Sequence, residues 1–120
     1  MEKRFENLKV WQKSSNYIVD VYKILIQFPA YEKYAMTDQI RRAVNSICAN
    51  IAEGTGRRTD KDFIHFLYIA RGSLEEVKSF LIISKKLGYI SEGQLKELID
   101  KAETIGKMLS GLIKSLMQYK

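Results

Sequence analysis

Cysteine, histidine, proline and tryptophan each occur only once in this chain of 120 residues. With Cys48 alone, no disulfide can form within the chain. Its place in an apolar helical pattern marks it as a small buried hydrophobe in a reducing compartment. One histidine and one cysteine cannot build an ordinary zinc site, and HExxH and CxxC spacings are absent, so no metal is expected. Pro29 is the only helix breaker of its kind, and glycine is sparse. No apolar run is long: the stretch 80–83 is typical and far too short to span a bilayer. The segment MEKRFENLK is charged and lacks the apolar centre of a signal peptide. A cytoplasmic location is expected. Strand-like alternation is nowhere sustained, and there is no internal repeat, linker or low-complexity segment.

What remains is helix. Apolar residues make up 46% of the chain, enough for one domain over residues 1–120 with a real core. Leu8, Trp11, Ile18, Val21, Leu25 and Phe28 recur at helical steps, widened by Tyr17 and Ile24, and predict a first helix over residues 7–28, stopped by Pro29. The connection PAYEKYAM holds two tyrosines, which are expected to pack down. A second helix starts near Thr37, a candidate N-cap, with Asp38 complementing its dipole. Its buried face is Ile40, Ala43, Val44, Ile47 and Ile51, and Gly54 and Gly56 end it. Thr59 and Asp60 open a third helix, whose stripe of Phe63, Leu67, Ala70, Leu74, Val77 and Leu81 keeps a heptad rhythm. The stripe runs through Gly72 and Ser73, so one long helix is predicted, with Gly72 admitting a neighbouring helix. The competing reading is a break, because Ser73 and Glu76 have capping-box spacing. A fourth helix opens at Ser91 with Gln94, another capping-box pair, and carries Leu95, Leu98, Ala102, Ile105, Leu109, Leu112 and Leu116 inward. The fold class expected is all-α, an antiparallel up-down-up-down four-helix bundle.

The third helix also carries Ile64, Phe66, Tyr68, Ile69, Phe80, Ile82 and Ile83 off its seam. One small bundle cannot easily bury them all, which points to a homo-oligomer interface.

Enzyme chemistry finds little support. A nucleophilic triad would have to route through His65, whose neighbours Phe63, Ile64 and Phe66 suggest a helix flank. The segment 54–58, GTGRR, lacks the lysine-Ser/Thr ending of a phosphate loop and no strand precedes it. Glu75 and Glu76 are adjacent on a helix and project apart. No catalytic residue and no cofactor are expected.

The net charge of +6 and pI near 9.4 allow a polyanion partner. The charge is spread: residues 1–60 and 61–120 each hold ten Lys and Arg against seven Asp and Glu. The most informative part of the chain is the segment 39–58, QIRRAVNSICANIAEGTGRR, an amphipathic helix running into a glycine-rich, basic turn. There the polar stripe Gln39, Arg42, Ser46, Asn50 and Glu53 leads toward Arg57, and a network of Asn50, Glu53 and Arg57 would fix the turn. The candidate nucleic-acid-binding residues are Arg41, Arg42, Arg57, Arg58 and Lys61, whose guanidinium forks suit phosphate oxygens. Few aromatics are interleaved with them, so base stacking is not indicated. The alternative is a protein–protein adaptor or scaffold whose basic face meets an acidic partner.

Phe5 with Leu8-Lys9-Val10-Trp11-Gln12, then Gln39-Ile40-Arg41-Arg42-Ala43, Ser46-Ile47, Asn50-Ile51-Ala52-Glu53-Gly54, Gly56-Arg57, and Phe63, Phe66-Leu67, Ala70, Gly72-Ser73-Leu74 follow a familiar order. The chain resembles the bacterial four-helix bundle family encoded in intervening sequences of large-subunit ribosomal RNA genes, sometimes labelled a ribosomal protein. It is also similar to the accessory variability determinant proteins of diversity-generating retroelements. The resemblance covers essentially the whole chain, and Asn-Ile-Ala-Glu-Gly followed by Gly-Arg is its most specific part. It implies an antiparallel bundle assembling into a barrel-like homopentamer. Through the retroelement relatives it also implies nucleic-acid binding and association with a reverse transcriptase.

Overall fold

The computed structural model describes residues 5–118. A 3-10 turn, Phe5–Asn7, leads into α1 (Lys9–Leu25), and a second, Ala30–Glu32, leads into α2 (Met36–Thr55); α3 (Asp60–Lys86) and α4 (Glu92–Met117) follow after short turns. Each helix packs on its neighbours in sequence, and α4 closes on α1. Short links make consecutive helices antiparallel, giving a four-helix bundle of 47 × 25 × 20 Å.

The core is an apolar column, with Ser14 and Ser84 the fully buried polar side chains among the described residues. Ile40, Val44, Ile47 and Ile51 of α2 meet Leu67, Leu74, Val77 and Leu81 of α3, with Leu98, Ile105 and Leu109 of α4 opposite. The inward face of α1 is Val10, Ser14, Tyr17, Val21 and Leu25, so the expected residues Leu8, Trp11 and Ile18 border the core instead of centring it. On α4, Ile113 turns inward where Leu112 was expected to. Tyr17 is the one phenol buried to 1% exposure, and its hydroxyl donates to the carbonyl of Leu98 at 3.0 Å, tying α1 to α4.

Several local expectations change. The first helix ends at Leu25, and Phe28 closes the following turn with its ring in the core. Tyr31 and Tyr34 do not pack down; Phe28 supplies the apolar anchor, and both tyrosines stand in solvent. Thr37 lies inside α2, because the Glu32 carboxylate reaches the Met36 N–H at 3.1 Å and caps the helix first. Gly54 is not a stop. It lies buried in the last turn of α2, and Gly56 is the C-cap. A Cβ at Gly54 would sit 2.7 Å from Cδ1 of Phe63 and 3.2 Å from Cβ of Phe66, so glycine here lets α2 and α3 close on each other.

α3 is one helix through Gly72, with no break at Ser73. Ser73 is buried and donates to the Ser46 hydroxyl at 2.9 Å. Gly72, however, admits no neighbour: a Cβ there would meet nothing within 4 Å. Glycine in an open mid-helix position costs about 1 kcal/mol relative to alanine. Gly72→Ala is therefore expected to raise stability by about 0.5–1 kcal/mol in urea denaturation. A loss of stability would mean that the outer face of α3 is covered.

The caps of α3 and α4 follow the sequence. The Thr59 hydroxyl accepts from the Asp62 N–H, and Ser91 and Gln94 exchange the reciprocal bonds of a capping box. Gly88, with φ of 84°, makes the turn between them.

Candidate nucleic-acid interface

The five candidate cations divide between the two ends of α2. Arg41 and Arg42 lie in its early turns, whereas Arg57, Arg58 and Lys61 surround the α2–α3 turn. Thirteen residues of helix, a rise of about 20 Å, run from Arg42 to the end of α2 at Thr55, and Arg57 lies beyond the C-cap Gly56. They therefore do not form one patch.

The first pair shares a carboxylate. Arg41 donates to Asp38 at 2.9 Å and Arg42 at 2.8 Å. Hydrogen bonds from Arg42 and then Arg41 hold the Asp38 carboxyl below its usual value, and Asp38 pushes the Arg42 guanidinium upward. Arg41 is further tied into the surface through Asn45, which donates to its carbonyl at 2.9 Å and to the Tyr22 hydroxyl at 2.8 Å.

At the other end, Arg57 is fixed from two sides. It pairs with Glu53 at 2.9 Å and lies 4.6 Å above the Phe66 ring. The same Phe66 packs against Gly54, so the close helix approach also positions this guanidinium. Arg58 and Lys61 are exposed and make no ion pair among the described residues. Asp60 and Asp62 sit in the first turn of α3, where they complement its dipole.

Asn50 does not join Glu53 and Arg57. Its amide turns back to Ser46, donating to the carbonyl at 2.8 Å and the hydroxyl at 2.9 Å. With Ser73 this forms a polar seam between α2 and α3. The Gln39–Glu53 stripe thus divides into a helix-pairing seam and a separate Glu53–Arg57 clasp.

His65 stands exposed on α3, with the Phe66 ring beside it at 5.4 Å. Cys48 is buried among the core helices, its thiol directed at the Trp11 carbonyl and pushed up to about 11 by burial. Among the described residues, no three His, Cys, Asp or Glu side chains gather as a metal site requires. No helix of the described residues is long and apolar enough to cross a membrane.

Sequence periodicity missed two features. One is a groove of about 280 Å³ between α1 and α4, lined by Lys13, Asn16, Tyr17, Asp20, Lys101, Thr104 and Ile105 and crossed by a Lys101–Asp20 pair at 2.9 Å. Its walls lie some eighty positions apart in the chain, beyond the reach of any local pattern. The other is the basic–aromatic character of the connection before α2. There Lys33 lies 5.3 Å from the Tyr34 ring centroid. The alternation of tyrosine and lysine in PAYEKYAM carried that signal.

Fold and surface together define a basic all-α four-helix bundle whose five candidate cations fall into two groups at the two ends of α2. The chain belongs to the family described as 23S rRNA-intervening sequence protein, which it matches over residues 6–111. It is also similar to the crystal structure, at 1.70 Å, of a protein of unknown function from the S23 ribosomal protein family of Bacteroides thetaiotaomicron VPI-5482. The two chains are 29% identical, with a TM-score of 0.81, covering 88% of this chain and 95% of that one. No curated protein matches this chain.

Proposed function

We propose that this chain is a non-enzymatic, cytoplasmic bundle of one domain that assembles with copies of itself and binds structured RNA or DNA through phosphate contacts. The observation that carries this reading is the α2–α3 turn. There Arg57 is held by Glu53 and Phe66, while Arg58 and Lys61 extend beside it unengaged among the described residues. Arg57 is thus held in place for a phosphate oxygen, and Arg58 and Lys61 are free to add charge beside it. Assembly, as a pentamer on the family resemblance, would repeat the cluster and add its fields. The exposed apolar side chains Ile69, Ile82 and Ile83 of α3 support assembly. Light scattering that returned a monomer at micromolar concentration would overturn it.

The test is fluorescence anisotropy against labelled duplex RNA across a salt series. Binding is expected to fall steeply with salt. Arg57→Ala with Arg58→Ala is expected to lower affinity about tenfold and to reduce the slope of log K against log salt by about 2, with an unchanged melting curve. Equal affinity for both proteins would remove the assignment. The exposed apolar residues equally favour a second reading, an adaptor for a nucleic-acid enzyme such as a reverse transcriptase. No binding to bare nucleic acid, with tight binding to such an enzyme, would select it.

A further inference from the structure

Among the described residues, the three most exposed large apolar side chains all lie between residues 26 and 34. Tyr34 is 85% exposed, Ile26 84% and Tyr31 77%. A fold that buries Tyr17 and Phe28 has left these rings outside at one end.

They are not on a slack loop. The segment is closed by the turn bonds Glu32 N–H to the Pro29 carbonyl, Lys33 N–H to Ala30 and Ala35 N–H to Glu32, all between 3.0 and 3.1 Å. Glu32 also accepts from the Tyr89 hydroxyl at 2.6 Å, and the Tyr89 and Tyr31 hydroxyls lie 3.2 Å apart. The Tyr31 ring stands edgewise to Tyr89 at 6.4 Å. The turn backbone and the Tyr31 ring are therefore fixed in advance, and both rings remain exposed.

Cations frame it. Lys33 lies over Tyr34, and Arg41 and Arg42 rise from the first turns of the helix that this connection starts. Against these three stand two carboxylates. Glu32 is committed to the Met36 N–H and the Tyr89 hydroxyl, and Asp38 is shared between the arginines.

We infer that this end of the bundle binds a single-stranded nucleic acid, with unpaired bases stacked on Tyr31 and Tyr34 and phosphates met by Lys33, Arg41 and Arg42. This rests on the nucleic-acid reading above and adds the state of the strand. Open π-faces flanked by cations suit bases that are themselves unstacked, whereas the bases of a duplex are occupied by one another. A phosphate-only site would need the cations but not the rings.

The test uses two labelled RNAs, a twelve-nucleotide single strand and a twelve-base-pair duplex, in the same buffer. Tyr31→Leu with Tyr34→Leu keeps apolar bulk and removes the π-faces. It is expected to weaken single-strand binding about 30-fold and leave duplex binding unchanged. Tyr31→Phe with Tyr34→Phe is expected to bind as the parent does. Circular dichroism melting confirms that both variants are folded. Equal binding by parent and leucine variant, or equal weakening toward both RNAs, overturns this inference while leaving the phosphate reading standing. Failure of the parent protein to bind either RNA overturns both. Competition by polyglutamate as effective as by polyuridylate would also overturn it, and would make the surface an acidic-peptide site.

Discussion

Replacing Tyr17 with alanine is expected to remove about 4 kcal/mol of stability, the range for deleting a large buried aromatic. The ring is 1% exposed at the centre of the α1 face, and its hydroxyl crosses to Leu98 on α4. Tyr17→Phe separates the two contributions: it keeps the ring and loses one buried hydrogen bond, at about 1 kcal/mol. Urea denaturation at neutral pH measures both. Burial, and then the nearby Asp20 charge, hold the Tyr17 phenol above its ordinary value. Its neutral form is the one the fold keeps, so its contribution is complete below about pH 10, the unfolded value, and is lost as pH rises beyond it. The alkaline limb should therefore be shallower in Tyr17→Phe than in the parent. A cost below about 1 kcal/mol for Tyr17→Ala would show that α1 and α4 do not pack as described.

Gly54→Ala is expected to cost about 2 kcal/mol, and Gly54→Val about 3 kcal/mol, through overpacking. Alanine would gain up to about 1 kcal/mol as a better helix former, but its methyl has no room. The obstruction is not only the Phe63 ring, which can rotate, but also Cβ of Phe66, which moves only with the α3 backbone. For a chain of this size the alanine variant should melt roughly 8 °C lower. Stabilisation would show that α2 and α3 stand further apart. The contrast with Gly72→Ala is the internal control, because the same substitution there meets open space.

These two glycines also show what could be read from the chain. Helix count, order and most of the inward residues follow from spacing, because a 3.6-residue period records which face is wet. Spacing also carried α3 unbroken through Gly72. Glycine identity, by contrast, states only that a Cβ is missing. At Gly54 the absence serves contact and at Gly72 it serves none, and only the neighbouring helix tells them apart. Thr37 was displaced as a cap for a related reason. Glu32, four residues before Met36, lies on a 3-10 turn that no periodicity announces. The candidate arginines were legible as residue types. Their division into two groups follows from the same spacing, since the helix expected between Arg42 and Arg57 already separates them along its axis, although residue type alone groups them as one set. Asn50 marks the limit: its side chain had several partners in reach, and it turns to Ser46.

That axial separation also sets a ruler. Along a DNA duplex, successive base pairs rise about 3.4 Å, so the roughly 20 Å of α2 between Arg42 and Thr55 equals some six base pairs. A straight duplex much shorter than this, laid along α2, is expected to engage one group of cations at a time. Ligand length thus becomes a variable independent of ligand charge, with a footprint threshold set by the thirteen residues of helix from Arg42 to Thr55.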